Sequence, residues 1–238
     1  MMRKYLEHVF WFSAQPQTWN RHQADQAFGF RGIAADTLPV FHFPKQVHGT
    51  RIIEADARTA SDLAVELPRP EADGIFTQKA GEIVAVQTAD CLPVLFTHTD
   101  FAMAVHAGWR GLADGILVQA AETLQRLNIQ PQEVSVVLGP AIGLAAFEVG
   151  PEVVDHFRDY FSDIAPQALS WALMKGQTDR WHIDLATAAC LSLQALGFAA
   201  DKLSCYRVCT KSTPQEWHSY RRDGQKAGRN WSWVGLSS

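Results

Sequence analysis

Apolar positions recur along this chain in two rhythms, and each rhythm marks a different kind of element. Six short runs of β-branched and apolar residues are bounded by Gly, Pro, Asp or Asn: TRIIEAD, EIVAVQTAD, LPVLFTHT, FAMAVHA, EVSVVLG and KLSCYRV. They read as strands with turns at their ends. Elsewhere the spacing lengthens. From Leu112, the residues Leu112, Ile116, Ala120, Leu124 and Leu127 line one face, which predicts a continuous amphipathic helix. A second helix starts at Asp184, whose carboxylate suits the exposed N–H groups of a first turn, repeats Leu185, Ala189, Leu193 and Leu196, and stops at Gly197. A third begins at Pro151 in PEVVDHFRDYF, where a missing N–H costs nothing.

The strands gather in the first half and the helices fall singly between sheet segments. That order predicts an α+β fold with mixed sheets rather than regular βαβ alternation. No Gly-, Ser- or Pro-rich linker interrupts residues 1–238 and no repeat of fixed period occurs, so a single domain is expected.

Composition narrows the function classes. The 238 residues are 47% hydrophobic and 19% charged, enough apolar material to bury a substantial core. A formal charge of −4 leaves no basic excess for a phosphate backbone, so nucleic acid is not an expected partner. In MMRKYLEHVFWFSAQ, Glu7 and His8 interrupt the apolar segment before it reaches signal-peptide length. No run approaches the roughly 18 apolar residues of a membrane span. The expectation is a cytoplasmic monomer or homodimer whose Cys91, Cys190, Cys205 and Cys209 are thiols or ligands rather than disulfide partners. Cys190 reads as mid-helix core, and Cys205 and Cys209 as neighbours on one strand face.

Candidate chemistry begins at FAMAVHAGWRG. A strand delivers His106 to its carboxyl end, Gly108 permits a sharp turn, and the chain enters a helix. The first turn of that helix and Arg110 together offer an anion site fit for phosphate, although Arg110 reads equally well as a solvated arginine. VAVQTADCLPVLF has a similar shape, with a break at Thr88-Ala89-Asp90 before Cys91, and KQVHGT carries His48 just before Gly49. Singly, each is an ordinary core or surface residue. Together they supply two imidazoles and a thiolate, a set that holds zinc and leaves its fourth position open. At the far end, EWHSYRRDGQKAGRN gathers Arg221, Arg222, Lys226 and Arg229, either as a solvated loop or as a phosphate-handling segment folded over the site.

These residues also carry a family likeness. KQVHG, DGIFT, VQTADCLPVLF, AVHAGWRG, LGPAIG with FEVGPEV, IDL, CT, and SYRRDG with GR follow one another, from about Lys45 to Arg229, in the order of the laccase-domain family. That family was once described as multicopper polyphenol oxidases and is now regarded as bacterial-type purine nucleoside phosphorylases. The resemblance implies an α/β/β/α-layered single domain and a zinc ion held by His48, Cys91 and His106. It further implies phosphorolysis of adenosine, inosine and methylthioadenosine, together with deamination of adenosine. The chain departs from the pattern in NRHQADQAFGFRGIAAD, which is shortened and lacks a Gly-Val-Ser and an Asn-Leu. It departs again at Ala141, where a cysteine is common, and at Trp217-His218.

Within that frame Asp90 is the candidate to move protons for deamination by a metal-activated water, with turn capping as its other reading; Asp73 is open to the same two readings. Phosphorolysis needs an anion pocket, for which Arg110 and Lys45 are candidates, and Trp109 either stacks on the purine or packs in the core. The older oxidase description fits poorly, because the chain contains no His-x-His pair. A single copper with Met103 as axial ligand is disfavoured too: three residues along a strand from His106, Met103 points to the opposite face. Two rivals remain: a metal-free cysteine hydrolase using Cys91 and His106, which gives His48 no role, and a binding module for purine or metal without turnover.

Overall fold

The computed structural model describes residues 10–12, 40–60, 68–164 and 169–236. Residues 20–36, where the chain departs from the family pattern, lie outside the described residues. Among those described, the strands form two mixed sheets and one small antiparallel sheet.

The six-stranded sheet is built around β6 (Leu92–His98) and β7 (Phe101–Ala107), joined by the two-residue link Thr99-Asp100. β7 continues antiparallel into β4 (Gly74–Thr77), which pairs parallel with β3 (Ile52–Glu54). On the other side β6 pairs antiparallel with β8 (Ser135–Leu138), and β8 runs parallel to β12 (Leu203–Cys205). The four-stranded sheet has the order β1 (Phe10–Phe12), β13 (Asn230–Gly235), β5 (Glu82–Thr88), β2 (Val40–His42), with β2 and β5 parallel. β10 (Leu173–Lys175), β11 (Trp181–Ile183) and β9 (Glu148–Val149) make the third sheet.

Strand alternation sorts the side chains into layers. Odd-numbered residues of β7, Phe101, Met103 and Val105, face the helices, while Ala102 and Ala104 face the four-stranded sheet and meet Val84, Val86 and Val234. The helix layer consists of α1 (Trp109–Ala113), α2 (Ile116–Arg126), α3 (Pro151–Ile164), α4 (Leu169–Ala172) and α5 (Leu185–Ala195). Ile116, Leu117 and Leu124 of α2 are fully buried against the sheet, each contributing roughly 1.5–3 kcal/mol. The order helix, sheet, sheet agrees with the expected layering; a second helical layer has no counterpart among the described residues. There the outer face of the four-stranded sheet carries Ile83, Ala85, Trp231 and Trp233, with Phe41 and Phe43 against them.

Five of the strand readings become β3, β5, β6, β7 and β8. The sixth, KLSCYRV, is cut short, because β12 ends at Cys205. Cys209 lies beyond it, bridged to Ala141, so the two thiols do not share a strand face. Cys190 is half-buried, packed at the margin of the helix-side core. Asp184 caps α5 as expected, accepting from the Thr187 N–H at 3.0 Å, and the third helix starts at Pro151. The helix expected to run unbroken from Leu112 is in fact two. α1 begins at Trp109, and Gly115, with φ of +90°, redirects the chain before α2. Leu112 and Ile116 still face the core on either side of this break, so the periodicity runs through it undisturbed.

Candidate metal centre and cleft

His48, Cys91 and His106 arrive from three separate places and meet. One nitrogen from each imidazole and the Cys91 Sγ all lie within 4.8 Å of one another. Donors around a tetrahedral zinc, with bonds of about 2.0–2.3 Å, sit roughly 3.3–3.8 Å apart, so a closure of about an ångström would complete the shell.

Asp73 holds this corner together. It is fully buried just before β4, and its carboxylate accepts from three successive backbone N–H groups, Val47 at 3.2 Å, His48 at 2.9 Å and Gly49 at 2.7 Å. The same carboxylate takes the Nδ1 of His106 at 2.8 Å, and the Asp73 carbonyl accepts the His106 backbone N–H at 2.7 Å. With Nδ1 committed, the His106 Nε2 is left for a cation, the arrangement by which a carboxylate fixes the tautomer of a metal-binding imidazole. His48 itself has φ of +63°, a strained conformation for a residue with a Cβ, held by those N–H contacts.

Two glycines let the pieces close. A Cβ on Gly108 would lie 3.1 Å from the His48 ring and 3.2 Å from the Cys91 Sγ, and one on Gly111 would stand 2.7 Å from the Gly49 carbonyl. The electrostatics match the geometry. Burial pushes the Cys91 thiol up, but hydrogen bonding and charge from His106 and His48 outweigh it and bring it down to about 6. Burial likewise works against charge on His106, and Asp73 and Cys91 reverse this, raising it to about 9. Two histidines and one soft, readily ionised thiol form a donor set suited to zinc. Met103 packs among the helix-side core residues, on the face of β7 opposite His106, and supplies no fourth ligand.

The corner opens into a cleft of about 980 Å³. Lys45, Trp109, Arg110 and Asp90 all line it, as do Arg69, Arg221 and Arg229, which makes its wall strongly cationic. Lys45 is exposed and paired with Glu71 at 2.8 Å. Trp109 rests edge-on against His156 of α3, and the Arg110 guanidinium lies over its indole at 4.3 Å. α1 spans only five residues, so any anion site there rests on the Arg110 charge more than on a helix dipole.

Asp90 sits at the tight turn between β5 and β6, with φ of +92°. Its Oδ1 accepts from the Thr210 hydroxyl at 2.6 Å, and its Oδ2 from the Ser219 hydroxyl at 3.0 Å and the Arg221 N–H at 2.6 Å. It thereby anchors α6 (Tyr220–Asp223), the helix inside the basic C-terminal run. Of that run, Arg221 and Arg229 reach the cleft. Arg222 instead ties the loop together through the carbonyls of Thr210, Lys211 and Trp217. Sequence reasoning missed Arg69, Phe43 and Phe147 in the cleft wall; the cation-aromatic pairing that marks them is a spatial signal, with partners 26 and 74 positions apart.

A layered α/β/β protein with a two-histidine, one-cysteine corner at the mouth of a cationic cleft is the class defined so far. The family described as multi-copper polyphenol oxidoreductase laccase matches residues 18–237, and the chain belongs to it. It is 36% identical over 198 residues to a purine nucleoside phosphorylase of Xylella fastidiosa, covering 82% of this chain and 72% of that one. To a purine nucleoside phosphorylase of Deinococcus radiodurans it is 32% identical, covering 93% and 78%. Its fold superposes on the crystal structure of YlmD from Geobacillus stearothermophilus with a TM-score of 0.79 at 28% identity, over 92% of this chain and 79% of that one. Among the described residues no helix is long and apolar enough to cross a membrane.

Proposed function

We propose that this chain is a zinc-dependent purine nucleoside phosphorylase of the cytoplasm, acting as one domain on inosine, adenosine and methylthioadenosine, with deamination of adenosine as a second activity. The observation that carries the reading is the convergence of His48, Cys91 and His106 at the edge of a cleft lined by several arginines. Zinc held by those three side chains would supply Lewis-acid chemistry at an open coordination position. Asp73 keeps the His106 ring turned toward the ion. Arg110 and Lys45 hold and orient the phosphate, and Trp109 stacks on the purine. In phosphorolysis the bond between the sugar C1′ and the purine N9 breaks, a bond from C1′ to a phosphate oxygen forms, and the base leaves with the electron pair and takes a proton. Arginines around the cleft stabilise the charge that moves between phosphate and base. Both Asp90 oxygens are occupied by hydrogen bonds, which favours the capping role over proton transfer.

The test is to incubate metal-analysed protein with inosine or adenosine, with and without phosphate, and to separate the products. Ribose 1-phosphate and hypoxanthine from inosine, formed only with phosphate, is the expected outcome; adenosine becoming inosine without phosphate identifies the second activity. Arg110→Ala should raise the phosphate KM while leaving zinc content unchanged, and equal losses in both would remove Arg110 from the anion site. The lowered Cys91 thiol gives one rival support, a cysteine hydrolase with His106 as base. That rival is preferred if no nucleoside turns over and alkylation of Cys91 proceeds equally fast with and without added zinc.

A further inference from the structure

Arginine side chains in the cleft share an unusual form of support. Three of them lie over aromatic rings: Arg69 over Phe43 at 3.9 Å, Arg110 over Trp109 at 4.3 Å, and Arg221 over Phe147 at 5.3 Å. None of the three is paired with a carboxylate among the described residues. A comparable pair away from the cleft, Arg158 over Trp181, does have one, Asp155 at 2.9 Å. A ring face fixes a guanidinium in place without using its N–H edge or cancelling its charge. Arg221 also donates its Nη1 to the Glu148 carbonyl at 3.0 Å, whereas Arg69 and Arg110 are held by their rings with their charge uncancelled.

Their placement separates them. Phe43 rests edge-on against Trp231, at 5.0 Å, on the outer side of the four-stranded sheet, so the Arg69 pair belongs to that wall. Trp109 opens α1 beneath the six-stranded sheet and leans on α3, so the Arg110 pair belongs to the opposite one. The cleft between them, about 980 Å³, stands near the top of the roughly 300–1,000 Å³ range of small-molecule sites. The two arginines are thus carried by different layers of the fold, each on its own ring. Arg69 is also partly desolvated, its Nε buried with no hydrogen-bond partner among the described residues, so negative charge beside its guanidinium would offset part of that cost.

We infer that the Arg69–Phe43 wall is a second anion subsite, and that the cleft accepts nucleoside 5′-monophosphates, with the 5′-phosphate on Arg69 while inorganic phosphate is held at Arg110. The inference rests on the proposed nucleoside site but concerns binding alone, so it can fail or stand independently of turnover.

Calorimetric titration of the full-length, metal-loaded protein decides it, with inosine, inosine 5′-monophosphate, ribose 5-phosphate and inorganic phosphate as separate probes at one ionic strength. Inosine 5′-monophosphate should bind at least about tenfold more tightly than inosine, as a desolvated charge-assisted contact allows. Saturating inorganic phosphate should leave that preference standing. Arg69→Gln should remove most of it and Arg69→Lys should retain part, because the charge stays while the flat stacking is lost. Arg126→Gln, which deletes the same charge on α2 away from the cleft, should leave the preference intact. The inference is overturned if the monophosphate binds no better than inosine, if inorganic phosphate abolishes its advantage by competing for one site, if ribose 5-phosphate alone binds as tightly, or if Arg126→Gln does as much as Arg69→Gln. Should inosine 5′-monophosphate bind as expected while inosine is never cleaved, the phosphorylase reading falls and the anion subsite remains.

Discussion

Two buried aspartates, seventeen positions apart, perform opposite kinds of work. Among the described residues the Asp73 carboxylate accepts from the Val47-His48-Gly49 turn and His106, all within the first half of the chain. Asp90 reaches across the molecule, to Thr210, Ser219 and Arg221, more than a hundred positions away. Asp73 orders the metal corner; Asp90 fastens the C-terminal segment that brings Arg221 and Arg229 to the cleft. Similar acid groups, both buried, thus order the two halves of the candidate site, the His48-Cys91-His106 corner and the arginine-lined wall. Burial works against charge on Asp73, but His106 and the N–H groups of Gly49 and His48 outweigh it and hold its carboxyl below the usual range.

Substitutions that separate the two halves test this division, and the largest effect belongs to Asp73. Asp73→Ala leaves three N–H groups and His106 without their acceptor, and should cost about 3–5 kcal/mol in denaturant unfolding. Asp73→Asn, which keeps the shape, should lower zinc affinity by roughly 10- to 100-fold in competition with a chelator. Next is Gly111→Ala. Its new methyl would press on the Gly49 carbonyl, 2.7 Å away, and backbone cannot yield as a side chain does. A loss of about 1–3 kcal/mol is expected, read as a lower thermal midpoint, with weakened zinc binding because Gly49 adjoins His48. Asp90→Ala should cost about 1–3 kcal/mol through its unpaired hydroxyls and N–H, and raise the phosphate KM while zinc content stays full. Loss of zinc from that variant would break the division. The smallest effect belongs to Glu71→Gln, since its ion pair with Lys45 is exposed on both sides; the change in unfolding free energy should stay within about 0.5 kcal/mol.

Much of the frame could be read from local pattern. β5, β6, β7 and β8 are long or strongly apolar, and bounded turns make them conspicuous. β13 carries a local alternation, with Trp231 and Trp233 on one face and Ser232 and Val234 on the other, but its position beside β5 depends on pairing across 142 residues or more, which no local window contains. β4 was visible only as a motif, because Gly74–Thr77 is buried on both faces and carries no alternation. In the site, His48, Cys91 and His106 are legible as residue types at turns and element edges, and the structure brings them together. The two readings of Asp73 and Asp90 could not be separated in sequence, since capping and catalysis use the same residue and differ only in what the carboxylate touches. Arg69 offered no signal at all beside Pro68 and Pro70; its meaning comes from Phe43, on another segment.

The grouping of contacts around Asp73 has a consequence for biosynthesis. Every side chain of the metal corner, and β4, β6 and β7 beneath it, is encoded before residue 108, whereas the clasp on Asp90 waits for Thr210 and Arg221. As the chain is translated from its N-terminus, all three donor side chains and the carboxylate that orders them are therefore made while more than half of the 238 residues are still to come, and the residues that clasp Asp90 are supplied only near the end.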